Sequence, residues 1–326
     1  MTTARMVSLS KLGGPEVIEL IDQELPPPGK GEVQLRQTAI GFNFIDVYQR
    51  SGYYPLDLPT GLGHEAVGVV EELGEGVTRF KKGDRVMYMN AGIGAYTSAR
   101  NVAVDKLVPV PNEVPDEVAA AIFFKAMTAQ YLIQKTYKVK AGDVVLVHAA
   151  AGGVGQILAG WAKSLGAFVI GSVGSEAKFA VAKEAGCDAV LDYSKPNWVE
   201  EFMKATGGRK ANIVYDSVAK TTFLGSLDCT APFGMVALFG AASGPAPEIQ
   251  PEILNKKGCL YLTRPSVFPH NATPELLQEN AKAVFDAIAE GRIKVKIGGK
   301  FGLEEAAEAH RAAEGRKLSG AIIMIP

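Results

Sequence analysis

Between Val144 and Gly155 the chain reads VVLVHAAAGGVG, and no other stretch restricts the possible fold as much. Val144 to His148 is a mostly apolar run without polar alternation, as expected of a strand buried on both faces, and Gln156 to Leu165 behind it has helical character. Strand, small-residue turn and helix in that order make a phosphate cradle, because the helix start offers unpaired N–H groups and positive dipole to an anion. Against the dinucleotide-binding spacing G-x-G-x-x-G the match is Ala150-Ala151-Gly152-Gly153-Val154-Gly155, with alanine in the first position. Gly152 would let the backbone approach a pyrophosphate, and Gly155 would let the helix pack closely on the strand. A glycine string alone is also what a tight turn looks like, so the flanking sequence has to decide.

It decides for the cradle. AFVIGSV (Ala167 to Val173), DAVLDY (Asp188 to Tyr193), NIVYDS (Asn212 to Ser217) and MVALFG (Met235 to Gly240) read as strands. Helical stretches lie between them around Glu176 to Ala185, Asn197 to Ala205 and Thr222 to Cys229. Strands alternating with helices of this length imply right-handed crossovers and a parallel sheet covered on both faces, a doubly wound Rossmann domain of class α/β. In chains that bind NAD, an acid roughly twenty residues past the glycines holds the ribose 2′-hydroxyl. Here that point is Ser172-Val173-Gly174-Ser175, with no acid. Small residues leave room for a 2′-phosphate that Lys178 can neutralise, so the expected cofactor is NADPH. Glu176 weighs against this unless it turns to solvent.

Residues 1 to about 110 are β-rich, with EVQLRQTAIG (Glu32 to Gly41), AVGVVEELG (Ala66 to Gly74) and DRVMYM (Asp84 to Met89) set between turn residues. NFIDVYQRSGYYP, Asn43 to Pro55, interrupts that pattern with a loop or helical turn crowded with polar and aromatic groups, a candidate site wall or a surface loop packed by its tyrosines. A helical stretch from Pro115 joins the two halves. GCLYLTRPS (Gly258 to Ser266) reads as a further strand stopped by Pro265, Thr273 to Gly291 as a capped amphipathic helix, and AIIMI (Ala321 to Ile325) as a last buried strand suited to the N-terminal domain. The expected domains are 1–125, completed by about 266–326, and 126–265.

With a formal net charge of −1, both signs interspersed, the chain has no basic field for nucleic acid or an anionic membrane. Three well-separated cysteines, Cys187, Cys229 and Cys259, offer neither a disulfide framework nor a C-x-x-C metal site. The N-terminus lacks the apolar core of a signal peptide, and no eighteen apolar residues run together, so a soluble cytoplasmic protein is expected.

GLGHEAVGVVEELGEGVTRFKKGDRV, HAAAGGVGQ, VYDSV and YLTRPS together resemble the medium-chain dehydrogenase/reductase superfamily. NFIDVYQRSGYYP makes the chain similar to its zinc-independent NADPH:quinone oxidoreductases, the zeta-crystallin-like family. The resemblance covers essentially the whole chain and implies that residues 1–125 form a GroES-like catalytic domain. It also implies a departure from the zinc alcohol dehydrogenases of the superfamily, whose catalytic zinc takes a cysteine, the histidine of a G-H-E triplet and a later cysteine. Those positions here hold Asn43, the triplet Gly63-His64-Glu65, and the vicinity of Phe124. One nitrogen cannot hold a zinc that wants three protein ligands, and Tyr88 to Asp105 lacks the cysteines of a structural zinc lobe. No metal is expected, and His64 is read as a cleft-wall histidine bonded to Asn43 or to the cofactor.

The resemblance further implies that Asn43, Asp46, Tyr48 and Tyr54 line the nicotinamide and substrate side, with His64 among them and Arg264 near the mouth. Lys125 and Thr128 would meet the cofactor's phosphates or ribose, and Gly152, Gly153 and Val154 its pyrophosphate. Ser175, Lys178, Tyr193 and Arg316 would surround the adenosine phosphate; Arg316 could equally be an exposed tail charge. Ser217, Phe239 and Gly240 fall at strand ends, where such sheets present ligands. Asp46 could donate a proton, or cap a helix or form a salt bridge. His148, His270 and His310 show no partner pattern and are read as structural or exposed. A bare hydride transfer suits a quinone, because the product anion is delocalised and water can finish its protonation. The alternatives are reduction of an alkenal or enone, which needs a proton at carbon, and a non-catalytic NADPH-binding protein such as a lens or RNA-binding relative. The family is typically dimeric, and the stretch Gly258 to Thr263 is apolar enough to pair with its copy.

Overall fold

The computed structural model describes residues 2–294, 296–315 and 318–326. The chain forms two compact units: Met1–Lys125 with Asn271–Ala281 and Val295–Pro326, and Ala126–His270 with Lys282–Lys294. The second unit thus takes in 266–270 and 282–294, which the sequence reading assigned to the first, and the continuous helix Pro274–Ala289 is divided between them.

The first unit is built on a seven-stranded sheet. Its order is Ile297–Gly302, Ala321–Ile325, Glu32–Gly41, Glu65–Leu73, Arg85–Met89 and Leu107–Pro109, with Ala99–Ala103 also paired to Glu32–Gly41. The hydrophobic last strand finds the slot it needs: it lies between Ile297–Gly302 and Glu32–Gly41, with Ile323 and Met324 fully buried. Thr2–Leu9 and Ile18–Leu25 form a separate antiparallel pair. Val33, Leu35, Ile40, Val86, Tyr88, Tyr96 and Leu107 belong to the core of this unit, each with almost no exposed surface.

The second unit carries six parallel strands in the order Ala189–Asp192, Phe168–Val173, Val144–His148, Ala211–Asp216, Thr230–Leu238 and Tyr261–Thr263. Numbered along the chain this is 3-2-1-4-5-6, the doubly wound Rossmann order, whose ligands bind beyond the carboxyl ends of the strands. Val144 to His148 are all buried, as a central parallel strand requires. The final strand is shorter than the Gly258–Ser266 reading, because Gly258 and Cys259 have φ of 119° and 55° and cannot extend the ladder.

Candidate active site

In the first unit, Asn43 stands just ahead of the helix Phe44–Arg50 with extended backbone, φ −130° and ψ 151°. The N–H of Asn43 donates to Asp46 Oδ2 at 2.9 Å, so a residue in the first helical turn reaches back to fix its start. Tyr96 donates its hydroxyl to the same oxygen at 2.8 Å, while Oδ1 of Asp46 has no hydrogen-bond partner among the described residues. Burial dominates the charge balance: it pushes the Asp46 carboxyl up to about 7 and outweighs the two donors. Of the roles open to it, the geometry shows the capping one. Asp46 is fully buried.

The Asn43 side chain is held from both ends. Its Nδ2 donates to Glu65 Oε1 at 2.9 Å and its Oδ1 accepts from Lys125 Nζ at 3.2 Å. Lys125 and Glu65 pair at 3.4 Å, both buried, and Glu65 Oε2 accepts the Phe124 N–H at 2.8 Å. Burial raises the Glu65 pKa, and the ammonium beside it opposes that rise. A buried ion pair of this kind costs desolvation that only good geometry and extra donors offset, which Asn43 and Phe124 provide here. Lys125 therefore meets Asn43 and Glu65 within this unit. His64 bonds Gln49 Oε1 through Nε2 at 3.0 Å rather than Asn43, and burial lowers its pKa to about 4. Tyr48 and Tyr54 are half-buried with rings 5.4 Å apart, and the Tyr54 N–H donates to the Tyr48 carbonyl, whereas Tyr53 is exposed. Among the described residues no three His, Cys, Asp or Glu side chains cluster to hold a metal ion.

Glu65, Tyr96 and Gln49 belong to this cluster and were not singled out by sequence. Glu65 had a signal, being the acid of the G-H-E triplet. Tyr96 reaches Asp46 across fifty residues, with nothing local to announce it.

In the second unit the nominated residues collect at the carboxyl ends of the strands. Gly152 precedes the helix Gly153–Ser164, which starts at Gly153, three residues earlier than read from sequence. A Cβ on Gly155 would lie 2.2 Å from the Ala149 carbonyl oxygen, so only glycine lets the helix start this close to the strand end. That close approach leaves the first-turn N–H groups free of side-chain cover, as a pyrophosphate requires. Ser175, Lys178 and Tyr193 are half-buried around the end of the next strand. The Glu176 carboxylate pairs with Lys195 at 2.5 Å, which draws its charge to the surface and answers the objection it raised. Ser172 is fully buried and bonds His148 at 2.5 Å, so it does not border a phosphate. Phe239 and Gly240 donate their N–H groups to the Asp216 carbonyl, beside Ser217. Arg264 donates to the Leu238 and Gly240 carbonyls at 2.7 and 3.1 Å, which ties it to the same strand end. Thr128 is buried in the helix Asp116–Tyr131. Arg316 lies outside the described residues.

Residues 153–289 match the model of the zinc-binding dehydrogenase family, and residues 29–112 that of the alcohol dehydrogenase GroES-like domain. The chain is 44% identical to the quinone oxidoreductase of Pseudomonas aeruginosa, over 99% of this chain and all of that one. It is 42% identical to a 2-haloacrylate reductase of a Burkholderia species, over 98% of each. The crystal structure of Escherichia coli quinone oxidoreductase complexed with NADPH superimposes with a TM-score of 0.96 at 43% identity, each chain covered in full. The fold is the Rossmann and GroES-like pair, and the chain belongs to the quinone oxidoreductase family of the medium-chain dehydrogenase/reductase superfamily.

Proposed function

We propose that this protein is an NADPH-dependent quinone oxidoreductase that works without a metal. The observation that carries the metal-free reading is the donor set around Asn43: an amide, one carboxylate, Glu65, already paired with the buried Lys125 ammonium, and one imidazole in the neighbouring His64 that is bonded to Gln49. A buried cation there repels a second one, and zinc wants three protein ligands. NADPH, when bound, supplies the hydride and its electron pair. The first-turn N–H groups from Gly153 onward would hold the pyrophosphate, and Ser175, Lys178 and Tyr193 the 2′-phosphate, since no acid ends the second strand. Asn43 is fixed in one orientation by Glu65, Lys125 and the Asp46 cap, and Tyr48 and Tyr54 offer ring faces to a flat substrate. Orientation of this kind contributes much of the barrier reduction when the substrate anion is stabilised by its own ring. No acid is needed, which suits a fully buried Asp46.

Reduction of an electron-poor double bond is the second reading, supported by the Burkholderia relative. Measuring kcat/KM for 1,4-benzoquinone, 9,10-phenanthrenequinone and an alkenal, each with NADPH and NADH, separates the readings. Quinones with NADPH should lead by at least tenfold; a faster alkenal would reverse the assignment, and no turnover of any would favour a binding protein. The short edge strand Tyr261–Thr263, with Tyr261 60% and nearby Phe233 71% exposed, supports a two-fold homodimer. Sedimentation should give twice 34.5 kDa, and the monomer mass would refute it. Three unpaired cysteines support a reducing, cytoplasmic compartment, and recovery in a membrane fraction would contradict that.

A further inference from the structure

His148 ends the central strand of the second unit, and its imidazole is completely enclosed. Its Nδ1 lies 2.5 Å from Ser172 Oγ on the neighbouring strand and its Nε2 2.9 Å from Ser226 Oγ on the helix Phe223–Cys229. Ser226 also bonds Asp216 Oδ2 at 2.8 Å. The direction of every bond follows from the carboxylate, which can only accept. Ser226 donates to Asp216, which is charged and nearer than its other acceptor, the Thr222 carbonyl at 3.1 Å. His148 therefore donates from Nε2 to Ser226; Nδ1 then accepts, and Ser172 donates to it. Burial lowers the His148 pKa and so favours the neutral ring that this pattern requires. The ring edge also packs on Tyr193 and Trp198, with centroids 6.2 and 5.2 Å away.

Two members of this chain, His148 and Asp216, adjoin backbone that the cofactor would touch. Ala149, directly after the imidazole, has φ 52°, and the glycine turn begins there. At the other end Asp216 Oδ1 accepts the N–H groups of Val218 and Ala219, each at 2.9 Å, and Ala219 has φ 70°. The Asp216 carbonyl receives Phe239 and Gly240. Two alanines in left-handed conformation store strain, which persists only where surrounding bonds over-determine the backbone. At Ala219 the Asp216 carboxylate supplies such a bond, and the hydroxyl–imidazole–hydroxyl chain links that carboxylate to His148, the residue immediately before the phosphate turn.

We infer that His148 is a positioning residue for the dinucleotide: through Ser172, Ser226 and Asp216 it holds the phosphate turn and the 216–219 loop at the spacing the cofactor spans. The inference rests on the reading of this unit as the NADPH site. The test is direct titration of NADPH, followed by its fluorescence, on the wild type, His148→Leu and His148→Gln. Leucine removes both hydrogen bonds, and glutamine can still donate to Ser226. The dissociation constant should rise at least tenfold in His148→Leu and return to within about threefold of wild type in His148→Gln. The KM for quinone at saturating NADPH should move less than twofold in either variant. A folded His148→Leu protein with wild-type affinity, or equal losses with leucine and glutamine, overturns the inference. Should His148→Leu not fold, Ser226→Ala cuts the chain more gently and must weaken NADPH binding at least threefold for the inference to survive. Failure of the wild type itself to bind NADPH would instead defeat the cofactor assignment.

Discussion

A Gly155→Ala variant should be less stable than the wild type by about 2 kcal/mol and bind NADPH at least tenfold more weakly. Two effects compete. Alanine is the better helix former by up to about 1 kcal/mol, and Gly155 sits in the first turn of the helix Gly153–Ser164, so propensity alone predicts stabilisation. Against that, the new methyl would lie 2.2 Å from the Ala149 oxygen and 2.8 Å from the Ala150 Cα. Both are backbone atoms, so no rotamer change relieves the overlap and the helix start must move off the strand. Overpacking wins, and the displaced N–H groups are the ones a pyrophosphate needs. Chemical unfolding and NADPH titration on the same preparation check both halves. A variant of equal or greater stability with unchanged affinity would contradict the close packing.

Replacing Asp46 with asparagine should change how stability depends on pH, by on the order of 3 kcal/mol between pH 5 and pH 8. Burial raises the Asp46 pKa to about 7, against an ordinary aspartate in the unfolded chain. The folded state therefore binds the proton more tightly, and the sign follows. The contribution of Asp46 is fully present below the unfolded value near 4 and is lost as pH rises through about 7. Asparagine keeps an acceptor for the Asn43 N–H and the Tyr96 hydroxyl but does not titrate. Its amide group adds a buried donor, an offset of about 1–3 kcal/mol that is the same at both pH values. Relative to wild type, Asp46→Asn gains stability as pH rises. Urea unfolding of both proteins at the two pH values measures the difference, and parallel profiles would mean that Asp46 is ionised without penalty.

Local physics made most of the second unit legible. Buried apolar runs, helices of ordinary length and a glycine turn each have a short-range signature, and the strand order follows from right-handed crossovers. The first unit yielded less. Ile18–Leu25 was passed over because IELIDQEL is largely exposed and charged, and its pairing with Thr2–Leu9 is a matter of context. Thr230–Leu238 was read from Met235 because Pro232 and Gly234 look like a turn; the strand has a register shift there, with Phe233 at φ 59°, and pairs continuously from Met235 onward. At the candidate site, Asn43 and the asparagine-led helix could be nominated from sequence. The contacts that fix Asn43 could not, since Glu65 lies 22 residues away and Lys125 82. His148 looked inert for the same reason: its partners stand 24 and 78 residues further on.

The Glu65–Lys125 pair beside Asn43 has a consequence for how such a site comes into being. A positive centre carried on a lysine side chain is delivered in fixed stoichiometry when the ribosome finishes the chain. It cannot dissociate, be scavenged by a competing ligand or be exchanged for an ion of another size. On the metal-free reading proposed above, maturation of that corner of the molecule is complete at the end of folding, with no metal-loading step. The trade is adjustability: its strength is set once, by the distances to one carboxylate and one amide, and only mutation can retune it.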